Sequence, residues 1–156
     1  MLSIQMMVYA FFSLVLTIIP IPEVLYSCWP AWLVLFFYWL NFIEKNTMPT
    51  VWVWILGLTL DSMMNMTMGI HVMALLLLQA FMSRYKSTFM LFPTVQQVIY
   101  VAIGTAIYVL SIQWFSSHAD LLKLILYVLK ISLMTAFCWP WIEVFSPKRI
   151  AVRTRK

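Results

Sequence analysis

One stretch constrains the fold of this chain more than any other. Residues 51–81 are apolar almost throughout, yet they carry Asp61 near the middle and His71 ten residues later. These 31 residues are too many for one membrane crossing of about 20 residues and too few for two full ones. We therefore expect two short or tilted helices, residues 51–66 and 67–82, with a turn near residues 61–67.

Small and polar residues recur every four positions in this stretch, at Gly57, Asp61, Asn65 and Gly69. On a helix this spacing places them along one narrow stripe of an otherwise apolar surface. Two interpretations of Asp61 are open. It either lies in a surface turn and caps the next helix, or makes a buried polar contact. Either arrangement keeps the carboxylate out of lipid, where an ionisable side chain costs about 2.5–3.5 kcal/mol. Asn65 can turn the chain, since asparagine tolerates left-handed geometry.

Composition places the chain among membrane proteins. Its 156 residues are 64% hydrophobic and only 10% charged, whereas a water-soluble domain carries about 25% charged residues. Three glycines and closely spaced apolar runs favour helices over barrel strands. We predict an all-α integral membrane protein, a bundle of six transmembrane helices at residues 4–19, 29–43, 51–66, 67–82, 95–115 and 121–145. The last of them is expected to be interrupted at Trp139-Pro140-Trp141.

The positions of the basic residues predict the orientation of this bundle. Five of the ten lie in the last nine positions, and Lys45, Arg84 and Lys86 lie in loops on the same predicted side. The positive-inside rule then places both termini in the cytoplasm, with a transmembrane domain at 1–145 and a basic tail at 146–156. The same rule accounts for the basic tail, so no nucleic-acid partner is expected; the partners are membrane lipids and proteins.

No motif for catalysis or metal binding is present. The two histidines and five acidic residues are scattered, without an HExxH or GxSxG pattern, so we expect neither an enzyme nor a cofactor. Lys130 lies at a depth of roughly 13 Å in the last predicted helix. It either pairs with Asp61, Glu143 or a partner helix, or extends its flexible stem to the interface.

Several short motifs occur in an order that resembles the MreD family of rod shape-determining proteins, most closely its proteobacterial form. They are Trp29-Pro30-x-Trp32, Tyr38-Trp39, Gly57-x3-Asp61, Gly69, and Trp139-Pro140-Trp141 before the basic tail. Two positions depart from the family pattern. Ala31 follows Pro30 where Asp or Asn is frequent, and Asn65 stands where Gly is frequent.

The resemblance implies a non-enzymatic inner-membrane subunit of the cell-elongation complex. Such proteins act with MreC, the MreB filament, RodZ, RodA and a class B penicillin-binding transpeptidase to direct lateral peptidoglycan synthesis and maintain rod shape. In this scaffold hypothesis the polar stripe and Gly104 contact the transmembrane helix of an MreC-like partner.

A second hypothesis comes from a more distant likeness, to the substrate-binding subunits of energy-coupling factor transporters, which are six-helix membrane proteins. A small-molecule site needs a pocket with converging polar groups. The candidates for it are Asp61, His71, Gln79, Gln97 and Lys130.

Overall fold

The computed structural model describes residues 4–19, 29–43, 50–65, 67–89, 91–116 and 121–144. Regular structure within these ranges is helical, and one α-helix overlaps each of the six predicted segments. The helices are α1 (Ile4–Ile18), α2 (Trp32–Tyr38, continued by a π-helical turn at Trp39–Ile43), α3 (Thr50–Met63), α4 (Ile70–Phe89), α5 (Thr94–Ser116) and α6 (Leu121–Val144).

Helix α2 forms the centre of the bundle. Its residues from Leu33 to Tyr38 are all buried, as expected for a helix that is apolar on every side. It packs against α1, α5 and α6, and its π-helical turn packs against α4. In that turn the Asn41 amide donates a hydrogen bond of 2.9 Å to the Phe37 carbonyl, so a polar side chain is accommodated at the centre.

Among the described residues, two helices are long and apolar enough to cross a membrane, namely Thr94–Phe115 of α5 and Leu121–Ile142 of α6. Shorter apolar helices occur at Trp32–Asn41, Thr50–Met63 and Ile70–Tyr85. The all-helical, apolar architecture agrees with the predicted fold class. The count of six crossings and the orientation of the termini stay predictions.

Two predicted interruptions are wrong. The basic segment around Arg84 was expected to be a loop, but it forms the last turns of α4, which ends at Phe89. No Gly or Pro occurs between Ile70 and Phe89, so nothing breaks the helix earlier. The interruption expected at Trp139-Pro140-Trp141 is also absent, since α6 continues through Pro140 to Val144. The helix therefore accommodates both the missing N–H of the proline and the crowding of its ring against the preceding turn. The predicted tail 146–156 and the loop with Lys45 lie outside the described residues.

Candidate functional site

Asp61 connects the end of α3 to the beginning of α4. Its side chain is fully buried. Oδ2 accepts a hydrogen bond of 2.6 Å from the backbone N–H of Gly69, and Oδ1 accepts one of 3.1 Å from the backbone N–H of His71. The first N–H groups of a helix have no partner within the helix and carry partial positive charge. The Asp61 carboxylate therefore caps α4 from the neighbouring helix.

His71 completes this buried cluster. Its Nδ1 lies 2.7 Å from the same Oδ1 of Asp61, and its ring lies beside that of Tyr108 in α5, with centroids 6.3 Å apart. An ionised carboxylate only accepts hydrogen bonds, so an Asp61 anion requires the hydrogen on Nδ1 of His71. The cluster joins α3, α4 and α5 at one end of the bundle.

The turn between α3 and α4 depends on two residues with positive φ. Asn65 has φ +51° and Gly69 has φ +103°, conformations that asparagine and glycine adopt most readily. Because α3 ends at Met63, only Gly57 and Asp61 share a helical face, and the four residues do not form one continuous stripe. Each of the two interpretations of Asp61 holds in part. Its carboxylate caps α4, but it does so from a buried position within α3 and not from a surface turn.

Gly57 permits the close approach of α3 and α4. A Cβ atom at this position would lie 2.7 Å from the Cα atom of Val72 and 2.8 Å from its backbone nitrogen. Such distances are shorter than any ordinary van der Waals contact, so only glycine fits this helix crossing without displacing α4. Small residues have this role at many helix contacts in membranes.

The opposite end of α4 is closed by Gln97, a buried residue near the start of α5. Its Nε2 donates to the carbonyl of Phe92 at 3.0 Å and approaches that of Phe89 at 3.4 Å. Its Oε1 accepts a hydrogen bond of 3.3 Å from the indole N–H of the buried Trp139 in α6. Side chains of other helices therefore satisfy backbone groups at both ends of α4.

The start of α2 is capped by another helix as well. The Oγ1 of Thr135 in α6 accepts a hydrogen bond of 3.0 Å from the backbone N–H of Ala31, and donates one of 2.7 Å to the Ile131 carbonyl. Ala31 is the N-cap residue of α2 and has no side chain that can cap. At the preceding helix end, the Trp29 indole donates a hydrogen bond of 3.0 Å to the Leu16 carbonyl.

Gly104 lies against the central helix. The Tyr38 hydroxyl donates a hydrogen bond of 3.0 Å to the carbonyl of Tyr100, and a Cβ atom at Gly104 would overlap that hydroxyl group. The absent side chain therefore leaves the space into which the Tyr38 hydroxyl fits. This position is part of the internal packing between α2 and α5.

Comparison with known proteins agrees with this helical, membrane-type architecture. A family model described as rod shape-determining protein MreD matches residues 1–149. The chain belongs to the MreD family. No curated protein and no solved structure gives a significant match. Membership makes the chain a membrane protein that determines cell shape, from a structural family rather than an enzyme family.

The residues on which the MreD resemblance rests lie mostly at helix ends. Trp29 and Pro30 precede α2, which begins at Trp32, and Asp61 and Gly69 form the α3–α4 cap. Trp139 is buried against Gln97, whereas Trp141 is exposed. In lipid every backbone polar group needs a partner within the protein, so positions that satisfy helix ends are central to this fold.

The polar residues of the small-molecule hypothesis do not converge on one pocket. Asp61 and His71 lie at the start of α4, whereas Gln97 contacts the carbonyl of Phe89 at its end. His71 and Phe89 are separated by about 27 Å along the helix at 1.5 Å per residue. Lys130 is exposed on α6, and within the described residues the side chain paired with Asp61 is that of His71.

Thr135, which accepts the hydrogen bond from Ala31, was not identified from the sequence. Tyr108, which lies beside His71, was not identified either. Thr135 lies one helical turn before Trp139, so a polar side chain on the buried face of the last helix was the available signal. Tyr108 has no such signal, because its place beside His71 depends on how α4 and α5 pack.

Proposed function

We propose that this MreD-family protein is a non-enzymatic scaffold subunit of the cell-elongation complex in the bacterial inner membrane. It crosses the membrane six times with both termini in the cytoplasm and binds the transmembrane helix of an MreC-like protein. Through that contact, with MreB, RodZ, RodA and a class B penicillin-binding transpeptidase in the same assembly, it helps direct lateral peptidoglycan synthesis.

The observation that carries this proposal is the fixed hairpin of α3 and α4. Its inner side is held by the buried Asp61 cap and by the close contact at Gly57, so these two groups support the hairpin from within. Its turn presents Asn65, Thr67 and Met68 as exposed side chains. A preorganised surface loses less entropy on binding than a flexible one, which suits a protein whose role is to hold a partner.

Helix association in lipid depends on close packing and interhelical hydrogen bonds rather than on the hydrophobic effect. The hairpin turn offers both, because Gly69 leaves its surroundings open and Asn65 has an exposed amide. We assign the contact with the MreC-like helix to this turn and its adjoining surface. Gly57 and Asp61 then act on binding indirectly, by fixing the shape of the turn.

The test is affinity purification of the tagged protein from bacterial membranes in mild detergent. We expect an MreC-like protein and the elongation synthases to co-elute. Asp61→Leu and Gly69→Leu should lower the recovery of the MreC-like protein without preventing membrane insertion. Ser83→Leu is the matched control, because Ser83 is exposed in the second half of α4, away from the turn, and its hydroxyl donates to the Ala80 carbonyl of its own helix.

Normal recovery of the MreC-like protein with both variants would remove the hairpin from the interface. Recovery of paired ATPases and a coupling subunit in place of elongation proteins would replace the scaffold by a transporter subunit. Fractionation checks the membrane insertion of each variant, and circular dichroism in detergent checks its folding, so that both failures are separated from a failure to bind.

A further inference from the structure

Lys130 is an exposed cation near the middle of an apolar helix. It lies in α6, whose segment Leu121–Ile142 is long and apolar enough to cross a membrane. At 1.5 Å per residue, Lys130 is about 14 Å from Leu121 and about 18 Å from Ile142. Its side chain is exposed in the described part of the chain. When α6 crosses the bilayer, this ammonium group faces the hydrocarbon core.

The surroundings of Lys130 on α6 form one continuous exposed face. Leu126, Leu133 and Phe137 are exposed and follow the same helical spacing of three or four residues as Lys130. We call these four residues the Lys130 face. It is apolar except for the charge of Lys130. This charge is the one feature that distinguishes it from an ordinary lipid-facing surface.

The flexible stem of lysine does not remove the charge from this environment. The side chain of a helical residue points toward the N-terminus of the helix, here toward Leu121. Its four-carbon stem covers less than half of the distance to that end of the helix. An ionisable group at such depth normally pairs with a group of opposite charge.

The acidic residues that the structure describes do not supply that group. Glu143, the acidic residue within α6, lies about 20 Å from Lys130 along the helix axis at 1.5 Å per residue. The carboxylate of Asp61 is fully buried and hydrogen-bonded to His71 and Gly69. Within the described part of the chain no acidic side chain is placed to pair with Lys130, and we look for the complementary charge in another molecule.

A second copy of this chain does not offer the complementary carboxylate. The chain has five acidic residues, and four of them lie between or at the ends of its apolar segments; these are Glu23, Glu44, Asp120 and Glu143. The fifth, Asp61, is buried within its own copy. Apart from the buried Asp61, no acidic residue lies in the middle of an apolar segment of the sequence, which favours a different protein as the partner.

We propose that the Lys130 face binds a transmembrane helix of another protein that carries an Asp or Glu at the matching depth. Apolar contacts with Leu126, Leu133 and Phe137 position the two helices, and the ammonium–carboxylate pair selects the partner. The proposal concerns α6 and does not depend on the role proposed for the α3–α4 hairpin.

The test uses a defined probe in vesicles of zwitterionic phosphatidylcholine. The probe is a labelled polyleucine helix with one Asp at its centre, and its control has Leu at that position. Fluorescence energy transfer reports its association with the labelled full-length protein. We expect the Asp probe to associate about tenfold more strongly than the Leu probe, as one interhelical polar contact in lipid allows.

Substitutions at Lys130 locate the effect. Lys130→Leu should abolish the preference for the Asp probe, and Lys130→Glu should transfer it to a probe with a central Lys. Lys123→Leu is the matched control, because Lys123 is exposed near the start of the same helix, and it should keep the preference. Lys130→Leu makes α6 more apolar, so we expect this variant to insert into the membrane. It therefore tests the proposal even where Lys130→Glu does not insert.

Three results would overturn the proposal. The first is equal association of the Asp and Leu probes. The second is rapid labelling of Lys130→Cys by a water-soluble maleimide, which would place the residue outside the hydrocarbon layer. The third is a Lys130-dependent signal seen only with an anionic phospholipid probe or between two labelled copies of this chain, which would identify a lipid or a self-contact as the occupant.

Discussion

The Nδ1 of His71 lies 2.7 Å from the Oδ1 of Asp61, and both side chains are buried. The same carboxylate accepts hydrogen bonds from the backbone N–H groups of Gly69 and His71. A buried charge is costly unless it is paired and hydrogen-bonded, and here every described contact of Asp61 serves that purpose. The pair therefore fixes the α3–α4 turn and with it the end of the bundle that we assign to partner binding.

Removal of the Asp61 carboxylate should destabilise the protein more than removal of the His71 ring. Asp61→Leu leaves two backbone donors and the imidazole without an acceptor, at about 1–3 kcal/mol for each buried group left unsatisfied. His71→Phe keeps both backbone hydrogen bonds, so we expect a loss of about 1 kcal/mol. Unfolding in mixed detergent micelles, followed by circular dichroism, measures both values.

A double variant checks that these two effects share one cause. Because Asp61→Leu already removes the contact, adding His71→Phe should cost little more, and the two losses should be less than additive. Additive losses would mean that the imidazole and the carboxylate stabilise the fold independently, contrary to their 2.7 Å separation.

Gly104 and Tyr38 provide a test of the central packing. Gly104→Ala places a methyl group on the Tyr38 hydroxyl, so we expect a loss of about 1–3 kcal/mol in unfolding free energy. Tyr38→Phe alone loses the hydrogen bond to the Tyr100 carbonyl, worth about 1 kcal/mol. In the double variant the overlap with the oxygen is gone, and the nearest atoms are Tyr38 Cζ at 3.0 Å and Leu78 Cδ1 at 3.1 Å.

The double variant should consequently be more stable than the sum of the two single losses predicts. The same detergent unfolding measurement decides this. A double variant as unstable as that sum would show that the Tyr38 hydroxyl is not what limits the space at Gly104.

Thr135 is predicted to stabilise the beginning of α2 through its hydroxyl group. Thr135→Val keeps the shape of the side chain but leaves the Ala31 N–H without its acceptor, so a loss of about 1–3 kcal/mol is expected. Thr135→Ser keeps the hydroxyl and should lose clearly less. Equal losses in thermal unfolding would assign the role of Thr135 to its methyl group instead.

The helices could be predicted because their signal is local. Apolar segments of suitable length alternate with prolines and polar residues, and the apolar stretch around Asp61 was too long for one crossing. The turn residues Asn65 and Gly69 also carried a local signal, since both tolerate positive φ. At Arg84 the local signal misled. The charged residues were interpreted as a loop, although no Gly or Pro is present there to end the helix.

The contacts that close the helix ends could not be predicted in the same way. Ala31 and Thr135 are 104 positions apart in the sequence, and Gln97 and Trp139 are 42 apart. No periodicity links such pairs, because they depend on how α5 and α6 pack around α2. The Asp61 cap could be predicted because the two backbone N–H groups that it accepts from belong to residues only eight and ten positions later.

The two glycines of the hairpin should respond differently to alanine, because one is limited by space and the other by conformation. At Gly57 the added Cβ would lie 2.7 Å from the Cα atom of Val72, so Gly57→Ala must push α3 and α4 apart. At Gly69 nothing lies within 4 Å of the added atom, and the cost is the positive φ of +103°, about 1–2 kcal/mol.

Distances between spin labels on the exposed residues Thr59 in α3 and Met73 in α4 separate these two causes. Gly57→Ala should lengthen or broaden the distance distribution, whereas Gly69→Ala should leave it unchanged, because its backbone N–H still reaches Asp61. Both variants lower stability, so stability alone does not distinguish them. An unchanged distance in Gly57→Ala would mean that the contact at Val72 does not set the separation of the two helices.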